Sequence, residues 1–287
     1  MPELPEVQCL RRSLEPHLLG RTITRAVLCR RDICELFEGR KATPAHLLEG
    51  LTIDRLDRRG KQLAMISREG PLLLVHLGMT GQMVFSPSPL RGGRGGGDRT
   101  REAHIHAHWT LEHNGTRAGH LHFRDPRRFG GLWTFPSMAT LLDHRWSQLG
   151  PDALTISPDQ LAEALKESRR YVKAALLDQG ALAGVGNIYA DESLFQAGIR
   201  PTRLASALKP AEIESLAAAI RQSLSSSIAT GGSTLRDYRD ANGRAGTTQL
   251  THAVYGRARE PCIRCGAKLK SAEVAQRTTV WCPRCQH

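Results

Sequence analysis

The sequence predicts an α+β protein built from three successive parts. One helical period opens the chain, short strand patterns with tight turns fill residues 22–135, and a helical stretch over residues 157–230 precedes two Cys-x2-Cys pairs. A length of 287 residues suits two domains and a small appendage.

The elements follow in order. Pro5 can occupy the first turn of a helix, Val7, Leu10, Leu14 and Leu18 recur at helical spacing, and Gly20 stops the run. Pro2 and Glu3 then sit at the mouth of that helix. Gln62–Ser67 and Pro71–His76 read as a hairpin around Arg68-Glu69-Gly70, and His104–Leu111 and His120–Phe123 flank Asn114-Gly115, a strong hairpin signal. Several short strands of this kind imply a sandwich or a barrel. The basic, Gly-rich stretch Arg91–Asp98 reads as a flexible loop. Pro158–Glu167, Tyr171–Gln179, Ile188–Ala197 and Ala211–Ala229 read as helices. Between the second and third, Gly184-Val185-Gly186-Asn187 is either an ordinary helix–helix turn or a set of exposed N–H groups for a phosphate. Gly231–Thr251 has few apolar residues and no period, as in a lid or binding loop. There is no internal repeat.

The net charge is +12 and the pI about 9.9. That balance points to a polyanionic partner, nucleic acid first, unless it only reflects host composition. Aromatic residues make up 5%, which argues against a stacking platform for single strands. No apolar run is long enough to cross a membrane, and no secretory signal is visible. The expected setting is a reducing, cytoplasmic, nucleoid-associated one, and a monomer is expected.

Cys262-x2-Cys265 and Cys282-x2-Cys285 are separated by sixteen residues. Each pair offers two thiolates from one turn, and four sulfurs close a tetrahedral Zn2+ site of the structural kind. Two disulfides are the competing reading, disfavoured by the spacing and the compartment. Cys9, Cys29 and Cys34 read as free, mostly buried thiols. Arg257–His287 carries a formal charge of +5. A metal-pinned hairpin with Arg277 near its tip is suited to reaching phosphates, although Arg277 reads equally as a solvated surface residue.

Pro2 becomes a secondary amine once Met1 is removed. An α-amino group has a pKa of about 7.7–8.0, so part of it is uncharged and nucleophilic at neutral pH. Glu3 lies beside it and Glu6 one turn on. An amine next to a proton donor can form a Schiff base with a sugar carbon. The alternative is an ordinary helix start whose carboxylates favour the helix dipole. Lys61, after Gly60, is either solvated or a phosphate or sugar contact. Met79, in His76-Leu77-Gly78-Met79-Thr80-Gly81, and the turn Asp125-Pro126-Arg127-Arg128-Phe129-Gly130-Gly131 are either plain loop residues or wedges for a base stack.

These segments together resemble the formamidopyrimidine-DNA glycosylase family of bifunctional repair enzymes, over nearly the whole chain. The resemblance runs through Pro2–Val7, His76–Met79, Asp125–Gly130, Gly186–Glu192, Gly231–Leu235 and the four-cysteine finger with Gln276-Arg277. It implies an N-terminal β-sandwich with flanking helices over residues 1–136, a helix–two-turn–helix domain over 150–256 and a zinc finger over 257–287. It implies excision of oxidised purines from duplex DNA and strand cleavage by β,δ-elimination. Pro2 would attack the anomeric carbon, Glu3 would shuttle protons, and Glu6 and Lys61 would complete the catalytic set. His76, His104, Arg128, Asn187 and Arg277 would contact DNA. Met79, Arg127 and Phe129 would fill the void left by an extruded base, Arg127 pairing with the orphaned cytosine, while Gly231–Thr251 closes over the flipped base. One structural Zn2+ is the implied cofactor.

Some positions depart from that pattern. Gln8 stands where glutamate is common, the strand from His104 to His108 is rich in histidine, and Arg91–Gly97 resembles an insertion. Three rivals stay open at this level: a sibling branch similar to endonuclease VIII that acts on oxidised pyrimidines, a non-catalytic zinc-finger DNA-binding protein, and a structural basic protein that coats nucleic acid and would not require Pro2. Leu4 and the Arg127-Arg128-Phe129 turn speak against the first, and the presence of both Pro2 and Glu3 speaks against the second.

Overall fold

The structure, a computed structural model, describes residues 1–39, 42–88, 104–234 and 237–287. The Gly-rich segment Arg91–Gly97 lies outside the described residues, as do Leu235 and Arg236 of the Gly231–Thr251 loop. The chain divides into two compact units. The first comprises Met1–Pro2, Glu6–Ser147 and Thr234–Gly246, and the second Glu3–Pro5, Gln148–Ser233 and Thr247–His287.

Helix α1 (Leu4–Leu18) runs as its spacing dictates, with Glu6 in the first turn. It ends before Gly20, whose φ of +70° is left-handed and favours glycine. Two sheets follow in the first unit. One has five strands in the order β2 (Cys34–Leu36), β9 (Gly131–Phe135), β5 (Leu72–His76), β4 (Gln62–Ser67), β3 (Ile53–Arg59). The other has the order β1 (Thr22–Leu28), β7 (Ile105–His113), β8 (Thr116–Arg124), β6 (Gln82–Ser86). All neighbours are antiparallel except β2 and β9. Asn114 and Gly115, at φ 50° and 75°, turn β7 into β8, as a two-residue hairpin requires.

Val7, Leu10, Leu14 and Leu18 of α1 share one core with Leu63, Leu73, Val75 and Leu132 of the first sheet and Trp109, Leu121 and Phe123 of the second. Truncating Leu121 to alanine there would cost about 2–5 kcal/mol. Trp109 is fully buried, and its indole N–H donates to the Leu47 carbonyl at 2.9 Å, so its polar atom adds no penalty.

A short helix, α2 (Met138–His144), follows the strands and is not among the helices expected from the sequence; Ser137 caps it by accepting the Thr140 N–H. One further local expectation changes: the second hairpin is longer than its apolar alternation, because polar ladder residues His113 and Thr116 still pair. Of the three thiols outside the finger, Cys9 and Cys34 are buried and Cys29 is exposed, a mostly buried set as expected.

The second unit is helical. Helix α3 (Pro158–Leu165) begins with a capping box between Ser157 and Gln160. Helices α4 (Val172–Leu177), α5 (Asn187–Gln196) and α6 (Pro210–Ala229) follow. Strands β10 (Lys270–Val274) and β11 (Arg277–Trp281) form the C-terminal hairpin, turned by Ala275 and Gln276 at φ 49° and 57°. Helix α5 packs on α4, α6 and β11. Phe195, Val254, Leu269, Val280, Cys262 and Cys282 form the small core beneath the hairpin.

Candidate active site

Glu3 is buried, and its carboxylate caps the N-terminus of α5. The Gly186 N–H donates to Oε2 at 2.7 Å and the Ile188 N–H to Oε1 at 2.9 Å. The first N–H groups of a helix lack intrahelical acceptors and carry the positive end of its dipole, so a carboxylate is the natural partner. The glycine-rich turn before α5 therefore spends these donors on Glu3 rather than on a phosphate. Its glycines are sterically required. A Cβ on Gly186 would lie 2.4 Å from the Glu3 carboxyl carbon, and one on Gly184 2.4 Å from the Leu4 side chain. Leu4 N–H also donates to the Gly184 carbonyl at 3.1 Å.

Pro2 and Glu6 are both buried in the first unit. The Glu6 carbonyl accepts the Tyr238 hydroxyl at 3.0 Å, and the Ala241 N–H donates to Ser13 Oγ at 3.0 Å. The described middle of the Gly231–Thr251 loop is thus tied to α1. Burial raises the Tyr238 hydroxyl far above its ordinary range, so it stays a donor. Gln8 Oε1 accepts from Arg58 Nε at 2.9 Å, and Arg58 also bonds the Gly60 carbonyl at 3.0 Å, just before Lys61. Gln8 thus gives the Arg58 guanidinium a neutral amide acceptor.

Lys61, immediately before β4, is largely buried, and His76 at the end of β5 is half-buried opposite Gln62. Burial, then the Lys61 and Arg145 charges, pushes His76 down to about 4. Its Nδ1 accepts the Gly78 N–H at 3.3 Å, which leaves Nε2 as a neutral donor. His76 therefore offers a phosphate a hydrogen bond, not a charge.

The two turns singled out in the sequence lie against each other. Gly78, at φ +59°, is so close that a Cβ would fall 2.2 Å from the Phe129 carbonyl carbon. Buried Asp125 holds the second turn, accepting from Gly130 N at 2.7 Å and Arg127 N at 3.3 Å, and Thr80 of the first turn donates to it. Met79 and Phe129 are left 41% and 55% exposed, too much for core residues of their size. The Arg127 guanidinium stacks 4.8 Å over the Phe129 ring. Arg128 is exposed, at φ 56°, and lies 3.6 Å from Asp32. Exposed His104 gives its carbonyl to the Asp125 N–H at 3.0 Å.

In the second unit, Asn187 Nδ2 donates to the Thr278 carbonyl at 3.2 Å, next in sequence to exposed Arg277. Sequence reasoning missed what holds this junction. Lys173 and Asp191 form a fully buried ion pair at 2.7 Å. Lys173 also donates to Thr278 O at 3.1 Å and Thr279 Oγ1 at 2.8 Å, and Asp191 accepts the Val280 N–H at 3.1 Å. Burial pushes the Asp191 carboxyl up and the Lys173 ammonium down, and their contact opposes both shifts. The only signal in the sequence was a charge within the apolar run Val172–Leu177.

The four finger cysteines place their sulfurs within 4.8 Å of one another, with Cys262–Cys285 at 4.0 Å and Cys265–Cys282 at 3.5 Å. Arg264 N–H and Cys285 N–H each point at a sulfur at 3.4 Å. Burial and the neighbouring thiols push Cys285 up to about 12. Four sulfur donors gathered this closely suit a zinc-class divalent ion, which would hold them as thiolates.

Three family models cover the chain. They are the formamidopyrimidine-DNA glycosylase N-terminal domain over residues 1–132, the formamidopyrimidine-DNA glycosylase H2TH domain over 149–239, and a zinc finger found in FPG and IleRS over 259–287. The last spans the four cysteines, which form a site for one structural zinc ion. A formamidopyrimidine-DNA glycosylase of Desulfitobacterium hafniense is 41% identical, covering all of both chains. The crystal structure of the MutM (Fpg) protein of Thermus thermophilus superposes with a TM-score of 0.82 at 40% identity, covering 99% of this chain and 98% of that one. A point mutant of the Lactococcus lactis enzyme, solved with DNA containing Fapy-dG, gives 0.85 at 31% identity over all of both chains. On sequence and fold alike, the chain belongs to the formamidopyrimidine-DNA glycosylase family.

Proposed function

We propose that this protein excises oxidised purines, 8-oxoguanine and formamidopyrimidines, from duplex DNA and then cleaves the strand through a Schiff base at Pro2. The observation that carries the reading is the Glu3 carboxylate, anchored by the Gly186 and Ile188 amides and adjacent in the chain to Pro2. Removal of Met1 frees the Pro2 nitrogen. Its lone pair attacks C1′ of the damaged nucleoside, the glycosidic bond breaks, and the bonding electrons leave with the base. Glu3 moves protons as the sugar ring opens and the imine forms. Two eliminations then expel the 3′ and 5′ phosphates.

The remaining roles follow the chemistry of the side chains. Glu6 supports the amine site, and Lys61 completes the catalytic set by holding a phosphate at the lesion. His76, His104, Arg128, Asn187 and Arg277 bind the DNA backbone, with Lys173 and Asp191 as positioning residues for the last two. Met79, Arg127 and Phe129 enter the stack when the lesion is extruded, which offsets part of the unstacking cost. The three domains take the boundaries 1–136, 150–256 and 257–287, and the zinc ion fixes the hairpin that carries Arg277. The enzyme works in the cytoplasm on nucleoid DNA. Leu4 and the Arg127–Phe129 turn favour purines over pyrimidines.

Borohydride trapping on a duplex with one 8-oxoguanine opposite cytosine tests the reading. The expected result is a covalent adduct that peptide mapping places at Pro2. No adduct from protein with Met1 confirmed absent would reject it for this lesion.

A further inference from the structure

The histidine-rich ladder of β7 and β8 takes no part in that reaction. His108 stands opposite His122, and Thr110 opposite His120. Side chains alternate between faces along a strand. These four residues therefore share the face opposite Ala107, Trp109, Leu121 and Phe123, which fill the core. Val27 and Arg25 of β1 and Val84 and Ser86 of β6 flank the row.

His120 and His122 are only 7% and 6% exposed. A neutral imidazole always carries one N–H and one lone pair, and buried polar groups are normally partnered. Yet neither nitrogen of His122 has a hydrogen-bond partner, and neither does Nε2 of His120. Leaving such a group unsatisfied is costly, and here three such atoms share one patch.

The ring centres of His108 and His122 are 6.1 Å apart, and those of His120 and His122 6.3 Å. With metal–nitrogen bonds of about 2.0–2.1 Å, two imidazoles on one tetrahedral ion lie roughly 5 Å apart, centre to centre. As the rings stand, the nitrogens do not converge; the finger cysteines are the only converged set among the described residues. Rotating the His122 ring breaks no hydrogen bond. His120 Nδ1 lies 3.4 Å from Thr110 Oγ1. Donation of Nδ1–H to that hydroxyl leaves the free lone pair on Nε2, as in histidine ligands whose second N–H is held by an oxygen.

We propose that His108, His120 and His122 bind a second divalent ion of the zinc class on the outer face of this sheet, with water as the fourth ligand. Three neutral imidazoles suit Zn2+, Cu2+ or Ni2+ rather than Mg2+ or Ca2+. The ion bridges β7 to β8 and stabilises the folded sheet increasingly as its free concentration rises above the Kd. This site is independent of the repair reaction.

The test uses full-length protein with its finger loaded, titrated with Zn2+, passed through a desalting column and assayed for metal per chain. Two zinc ions are expected in the parent and one in both His122→Asn and His108→Asn. The half-buried His108 provides a variant less prone to misfold, and retention of the finger's zinc and the far-UV spectrum report folding. Co2+ adds a second check: its second equivalent should give a d–d band without further thiolate charge-transfer absorption. One zinc per chain in the saturated parent, two in both variants, or added thiolate absorption would each overturn the proposal.

Discussion

The Glu3 carboxylate accepts the Gly186 N–H at 2.7 Å, across 183 positions of sequence. With the Ile188 N–H on its other oxygen, both carboxylate oxygens meet main-chain donors at the helix terminus, which orients the group. Replacing Glu3 with Gln sets an amide NH2 against one of the two N–H donors. Strand cleavage should be abolished and stability should fall by about 1–3 kcal/mol, while lesion-duplex binding stays largely intact. Cleavage and binding assays on one preparation, with a urea melt, check this; equal loss of binding and cleavage would count against a catalytic role.

Gly186 has φ −128°, which any residue can adopt, so alanine there meets no backbone strain. Its Cβ would instead fall 2.6 Å from one Glu3 carboxylate oxygen and 2.7 Å from the other. Gly186→Ala should displace the carboxylate and lower the cleavage rate by about 10²-fold, the order expected for a misplacement near 1 Å. Single-turnover kinetics should show the loss in the chemical step and little change in DNA affinity.

His76 titrates at about 4 in the folded protein, against about 6.5 unfolded. The unfolded chain thus binds the extra proton between these values. The stability this neutral histidine preserves is fully present above pH 6.5 and is lost as pH falls toward 4, by up to about 3 kcal/mol. Denaturant melts from pH 7 to 4 should show that slope, and His76→Gln should flatten it.

The same neutrality separates His76 from Arg277 in binding. Arg277→Ala should weaken DNA binding at every sequence and reduce the salt slope by about one counterion. His76→Gln should leave the slope unchanged. Fluorescence anisotropy over a salt series distinguishes them.

Lys173→Met leaves Asp191 buried without its cation. The expected cost is about 3–5 kcal/mol, partly recovered when Asp191 is replaced by leucine in the same chain. If the pair also registers the finger hairpin, Asn187 and Arg277 lose alignment and the single variant binds DNA more weakly at a salt slope near the parent's. Thermal melts of both variants, read beside their anisotropy curves, separate the stability effect from the positioning effect.

Much of this molecule was legible in one dimension. The Val7–Leu18 spacing, the Asn114-Gly115 turn and the paired cysteines report local rules: helical period, left-handed turn conformation and ligand count. Helix α2 was not legible because seven residues, with one capping serine, carry too little period. The strands of the four-stranded sheet were legible as strands but not in their order, because pairing β1 with β7 depends on contacts far apart in the chain.

The sequence by itself determined the chemical inventory: a proline and a glutamate at the helix mouth, four thiolates for zinc, and an excess of positive charge. Only the tertiary structure decided what those groups can do. It turned a glycine-rich turn from a phosphate cradle into the cap of Glu3, buried Lys173 against Asp191, made His76 a neutral donor and gathered three histidines on one sheet face. The reason is physical. Burial and hydrogen-bond partners come from residues remote in sequence, and they set a side chain's charge and direction more strongly than its neighbours along the chain.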